Sequence, residues 1–114
     1  MKKVVIMAAL LVSGVFYAQE VKSKYEIVGN EVKATYFHDN GQVKQEGNYL
    51  NGKLQGKWIS YNVNGNKEAI GEYNNGVKIG KWFFWTGDTL NEVDYSDNRV
   101  AEVRKWSKAA LVKN

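Results

Sequence analysis

A unit of 24 residues recurs along this chain. Gly41, Gly47, Tyr49, Gly52, Gly56 and Trp58 return as Gly65, Gly71, Tyr73, Gly76, Gly80 and Trp82, and the tryptophan returns again as Trp106. A lysine precedes each tryptophan, at Lys57, Lys81 and Lys105. A unit this short cannot bury its apolar surface alone, so copies of it must stack on one another. The period therefore constrains the fold closely. It carries little about activity.

The turns define what the unit is made of. Asn40-Gly41, Asn51-Gly52, Asn64-Gly65 and Asn75-Gly76 separate runs rich in Val, Ile, Tyr, Trp and Phe. A two-residue type I′ hairpin turn needs positive φ at both central residues, and Asn-Gly tolerates this best. The pattern predicts an all-β chain, an antiparallel meander of hairpins in a single elongated, twisted sheet. Strands are expected near residues 31–38, 42–49, 54–61, 66–73 and 78–85. Beyond them Thr86-Gly87-Asp88-Thr89 forms a different turn, Glu92 to Tyr95 continues as strand, and Asp97-Asn98 is a degenerate turn leading into Arg99–Trp106. Val100, Val103, Trp106, Ala110 and Leu111 could instead line a helix. The recurrence of Lys105-Trp106 favours strand up to Trp106. Tyr25 and Gly29-Asn30 read as a worn half-repeat over residues 19–31, followed by the repeat domain at 32–106 and a tail at 107–114. Atypical end units are what a stacked repeat needs.

If every Asn-Gly closes a two-residue loop, the register follows. Gly47 then faces Gly56, Gln45 faces Trp58, Trp58 faces Gly71, Ile59 faces Ile70, Gly71 faces Gly80 and Ala69 faces Trp82. One face carries Tyr49, Trp58, Tyr73 and Trp82 beside a lane of glycines. An aromatic ring can lie across a residue without a side chain, which accounts for glycine inside strands that it would otherwise weaken. The opposite face carries Lys57, Ile59, Tyr61, Glu68, Ile70, Glu72, Lys81, Phe83 and Trp85, with Ile59–Ile70 and Tyr61–Glu68 as opposed pairs.

The first residues have the order of a secretory signal. Lys2 and Lys3 precede an apolar run from Val4 to Val12, and Ser13–Tyr17 leads to Ala18. Residues 1–18 are thus expected to direct export to the periplasm or beyond the cell. Phe16 is large for its place before the cut, and an uncleaved anchor is the alternative. The run is shorter than the roughly 20 residues a membrane-spanning helix needs. Without Lys2 and Lys3, 14 basic residues face 12 acidic ones, too even a balance to suggest nucleic acid. The chain has no cysteine and no proline. Disulfides are excluded, and a small exported domain then depends on packing or oligomerisation.

The unit Asn40-Gly41 … Gly47-Asn48-Tyr49 … Asn51-Gly52 … Gly56-Lys57-Trp58, repeated from Asn64 to Trp82, resembles the bacterial variant of the MORN repeat (membrane occupation and recognition nexus). The resemblance is good from Val32 to about Trp85 and poor from Asn91 to Trp106. It implies stacked hairpins. For function it implies binding or scaffolding, with a protein or sometimes a lipid partner. Bacterial relatives often carry an antitoxin label, which fits badly with export. The resemblance brings no catalytic motif.

The residues themselves point the same way. His38 is the only histidine and sits just before a turn, where a solvated turn residue is the plain reading and a general base or metal ligand the sharper one. With one histidine and no cysteine, a metal site would need several carboxylates. Asp94-Tyr95-Ser96-Asp97-Asn98 is rich in oxygens but lacks the glycine and distal glutamate of a calcium loop. Arg99, Arg104, Lys105, Lys108 and Lys113 make the C-terminus basic, which suits an anionic envelope surface or a protected sheet edge. The candidate binding surface is the aromatic row Tyr49, Trp58, Tyr73 and Trp82, which could anchor a protein partner or stack on a glycan. No cofactor is expected, and the reading is of a non-enzymatic protein-interaction module, with carbohydrate or envelope binding as the alternative.

Overall fold

A computed structural model describes residues 21–107. The expected signal at 1–18 and the tail beyond Ser107 lie outside the described residues. Eight strands follow one another: β1 (Lys24–Val28), β2 (Glu31–Phe37), β3 (Val43–Leu50), β4 (Lys53–Tyr61), β5 (Lys67–Asn74), β6 (Val77–Thr86), β7 (Thr89–Ser96) and β8 (Arg99–Ser107). Each pairs antiparallel with the next, so the sheet order is the sequence order. The result is one open meander measuring 58 × 37 × 22 Å. Its radius of gyration is 18.8 Å, against about 13 Å for a compact domain of roughly 100 residues. The segment 99–107, for which a helix was the alternative, is strand.

The hairpin turns are of more than one kind. Asn51-Gly52 and Asn75-Gly76 are two-residue turns with positive φ at both residues. Asp97 and Asn98 also take φ of 56° and 69°, so this turn adopts the same geometry without glycine. Asn40-Gly41 and Asn64-Gly65 depart from the expected two-residue loop. There only the glycine has positive φ, and the closing bonds are His38 N–H to Gln42 O and Asn62 N–H to Asn66 O. These are three-residue loops, a turn followed by a glycine bulge. Asn62 holds one of them, its Oδ1 accepting from the N–H of both Asn64 and Asn66. The extra loop residue shifts the pairing, and Tyr61 faces Lys67 where Glu68 was expected. Tyr61 instead donates its hydroxyl to Glu46 Oε2 at 2.8 Å.

The larger correction lies at the tryptophans. Asn48 pairs with Gln55, but Glu46 pairs with Ile59, so Gly47 alone stands opposite Gly56, Lys57 and Trp58. The same happens one unit later: Glu72 pairs with Ile79 and Ile70 with Phe83, leaving Gly71 opposite Gly80, Lys81 and Trp82. Gln45 therefore faces Ser60, and Ala69 faces Phe84, not the tryptophans. Trp58 does pair with Gly71, and Ile59 with Ile70, as the two-residue count predicts. Two extra residues per bulge keep the alternation intact, whereas one would turn every later side chain to the wrong face. The cause is steric. A Cβ on Gly47 would fall inside the Trp58 indole, and a Cβ on Gly71 inside the Trp82 indole. Each indole lies flat on the glycine of the preceding strand and donates its Nε1–H to the next carbonyl, Trp58 to Asn48 O at 3.0 Å and Trp82 to Glu72 O at 3.2 Å. Gly56 and Gly80 take φ of 74° and 70°, which lets β4 and β6 loop out far enough to lay the ring down.

Apart from Thr35 on the other face, the buried residues form a strip one side chain wide across the strands: Ala34, Gly47, Trp58, Gly71, Trp82 and Val93. This is the core of a sheet that has no second layer among the described residues. Replacing Gly47 or Gly71 by alanine should cost roughly 2–4 kcal/mol, since the indole must leave its seat. Gly52→Asn, at an open turn position with φ +79°, should cost under about 1 kcal/mol. Urea unfolding of the three variants measures the difference, and equal small effects would refute the ring-on-glycine account.

Candidate interaction face

The four residues expected to form the aromatic row do come together on one face. Tyr49 and Trp58 meet edge to face at 5.2 Å, Trp58 and Tyr73 at 6.5 Å, and Tyr73 and Trp82 at 5.0 Å. The row runs further than the sequence indicated. Trp82 stacks on Phe84 at 6.0 Å and meets Tyr95 at 5.7 Å. At the other end the Tyr36 hydroxyl bonds that of Tyr49 at 3.0 Å, and Tyr36 meets Tyr25 at 6.0 Å. Rings thus run from β1 to β7. Edge-to-face pairs of this kind each contribute about 0.5–1.5 kcal/mol beyond their buried area.

Within the row the members differ in access. Trp58 and Trp82 are only 3% and 6% exposed, so their faces are spent on the glycines and on neighbouring rings. Solvent meets the half-buried tyrosines, Lys78, and apolar residues nearer the edges. Lys78 Nζ sits 5.1 Å from the Trp82 ring and 5.0 Å from the Tyr95 ring, a cation held over two π faces. An open depression of about 390 Å³ is lined in part by Tyr36, Gln45, Tyr49, Leu54 and Trp58. The repeat glycines divide by role. Gly41, Gly52, Gly65 and Gly76 serve turns, Gly56 and Gly80 the bulges, and Gly47 and Gly71 the seats of the indoles.

A feature the sequence reading missed is the segregation of acid. Strand register places every Asp and Glu of the described strands on the face away from Trp58 and Trp82, the face that also carries Trp85 and Trp106. There Lys81 bonds Glu92 at 3.0 Å and Asp94 at 3.2 Å, while Arg104 bonds Glu92 at 3.1 Å and Glu102 at 2.9 Å. The hydrogen bond from Lys81, before any other cause, holds the Glu92 carboxyl below its usual range, and those from Glu92 and Asp94 raise Lys81. The period-two alternation of acids within each strand was legible. Its agreement from strand to strand survives the bulges, because a shift of two residues leaves each side chain on the face that the turn count assigns.

The other candidates take structural places. His38 Nε2 donates to Tyr61 O at 2.8 Å and Asn40 Nδ2 to Val63 O at 2.8 Å, tying the loop after β2 to the loop after β4. At the opposite rim Gly76 N–H bonds Leu54 O, Asn98 N–H bonds Lys78 O, and Asn98 Oδ1 accepts from Lys78 N–H. Asp94 belongs to the ion cluster and Asp97-Asn98 to the turn.

The Tyr49 hydroxyl, then contact with Tyr25 and burial, lift the Tyr36 phenol well above the usual tyrosine range. The folded chain thus holds this proton more tightly than the unfolded chain does. The stabilisation is complete below the ordinary value of 10.0 and is lost as pH rises past it toward the folded-state value. Thermal melts on either side of that value should show a drop that is smaller in Tyr36→Phe, and an equal drop in both proteins would refute the coupling.

No protein-family model matches the chain, and no curated protein matches it.

Proposed function

We propose that this chain is an exported, non-enzymatic interaction or scaffolding module of MORN type, which binds a protein partner through the tryptophan face of its sheet in the periplasm or outside the cell. The segregation of acid carries the reading. A surface of tyrosine rims and aliphatic side chains, without a carboxylate from any described strand, has the composition of an interface centre, where aromatics are enriched and Asp and Glu depleted. Lys78 on that face favours a partner with acidic groups at its rim. The export half of the proposal rests on Lys2, Lys3, the apolar run and Ala18.

Binding of an envelope glycan is the second reading. It is favoured by the depression beside Tyr36, Tyr49 and Trp58, where ring faces adjoin the amide of Gln45. An antitoxin-like role is the third, and applies only if the chain stays in the cytoplasm.

The test is crosslinked capture from the envelope fraction of the producing cells, with three baits compared by mass spectrometry. Wild type and Lys57→Glu, altered on the acidic face, should capture the same protein in stoichiometric amount. Ile27→Glu, altered on the tryptophan face where Ile27 is 84% exposed, should lose it. Capture that is indifferent to Ile27→Glu refutes the face assignment. A saturable change in tryptophan emission with soluble wall glycan, abolished by Tyr49→Ala, would favour the glycan reading instead. Recovery only from the cytoplasm would overturn export.

A further inference from the structure

The sheet ends in two strand edges, and they are not alike. β1 is five residues long and exposes Tyr25, Ile27 and Val28 beside the charged Lys24 and Glu26. β8 is nine residues long and exposes Val100, Val103 and Trp106 along its length. An edge of nine residues is a template for another strand unless its charges repel one.

The charges of β8 do the opposite when the strand meets itself. In β7 the hydrogen-bonding groups alternate between neighbours. The two-residue turn between Thr86 and Thr89 directs Thr89, Asn91, Val93 and Tyr95 to β6, and leaves Leu90, Glu92, Asp94 and Ser96 for β8. Val103 stands opposite Val93, so its own N–H and C=O point away from the sheet. Val103 is also the midpoint of Arg99–Ser107. A two-fold axis at Val103 would align β8 antiparallel with β8 of a second copy, with a regular ladder from Ala101 to Lys105 and the bulge opposite Tyr95 beyond it. Val103 would meet Val103 in a hydrogen-bonded pair, and Glu102 would stand directly opposite Arg104 on both sides of the axis. A shift of the axis by one residue places Arg104 on Arg104 or Glu102 on Glu102. The register centred on the strand midpoint is therefore also the one in which unlike charges meet.

We propose that β8 is a self-complementary edge through which two copies of this chain join, antiparallel and two-fold symmetric about Val103, into one continuous sheet. The inference is independent of the partner reading above. β1 offers no equivalent: its unlike-charge register, Lys24 on Glu26, overlaps only Lys24 to Glu26, and an axis at its midpoint puts Glu26 on Glu26. The contact is isologous and uses up both β8 edges, so it closes at two copies.

The natural chain has no cysteine, so a single introduced thiol reports the axis directly. Cα atoms of a hydrogen-bonded antiparallel pair lie about 5.5 Å apart, within disulfide reach. Val103→Cys should form a covalent dimer on mild oxidation. Val100→Cys, three residues along the same edge, should not, because its symmetry mate lies roughly 20 Å away at strand spacing. In sedimentation velocity the wild type should run as a dimer and Glu102→Arg as a monomer that keeps the β-sheet circular dichroism of the wild type. A monomeric wild type, an open series of larger species, a Glu102→Arg protein that stays dimeric, or equal crosslinking of the two cysteine variants would each overturn the proposal.

Discussion

The fold depends on an indole lying on a glycine. A single-layer sheet has no opposing layer to bury its residues, and a chain without cysteine has no covalent substitute. Here each unit supplies its own cover. Trp58 and Trp82 lie over the strand before them, hide backbone that has no side chain, and satisfy their own N–H on the carbonyl just beyond. Three features follow from that contact: the missing Cβ at Gly47 and Gly71, the left-handed Gly56 and Gly80 that give the strand its slack, and the two extra residues that keep the faces in phase. None of these is useful without the others, which is why they recur as a set.

The tryptophans also organise what they do not touch. Because the bulges preserve alternation, the carboxylates of the described strands all fall on the face opposite the Trp58–Trp82 row, together with Tyr61, Phe83, Trp85 and Trp106. One face is held by ring contacts and a lysine over two π systems. The other is held by ion pairs centred on Glu92, Lys81 and Arg104. Exposed ion pairs contribute little stability each, so the ring face holds the sheet and the acidic face keeps it in water.

Much of this was legible in the sequence. Asn-Gly spacing gave the meander, the recurrence of Lys105-Trp106 gave β8, and Tyr49, Trp58, Tyr73 and Trp82 fell on one face as the alternation required. What failed was local. Asn40-Gly41 and Asn64-Gly65 look like Asn51-Gly52, yet Asn62 Oδ1 captures two backbone N–H groups and draws a third residue into the loop after β4. The register through the tryptophans failed for a different reason. A count from the turns assumes one residue against one, and nothing in the order Gly56-Lys57-Trp58 states that a ring needs the space of two more. Access was equally hidden: an indole spent on glycine and one open to a ligand have the same sequence.

The bulges have a consequence on a larger scale. A β-bulge bends its strand and adds to the right-handed twist already present in any sheet. These two recur once per 24-residue unit, in the same row and on the same side, so their contributions accumulate. A sheet extended by further units would wind with a fixed pitch, and its aromatic face would trace a spiral groove around the long axis.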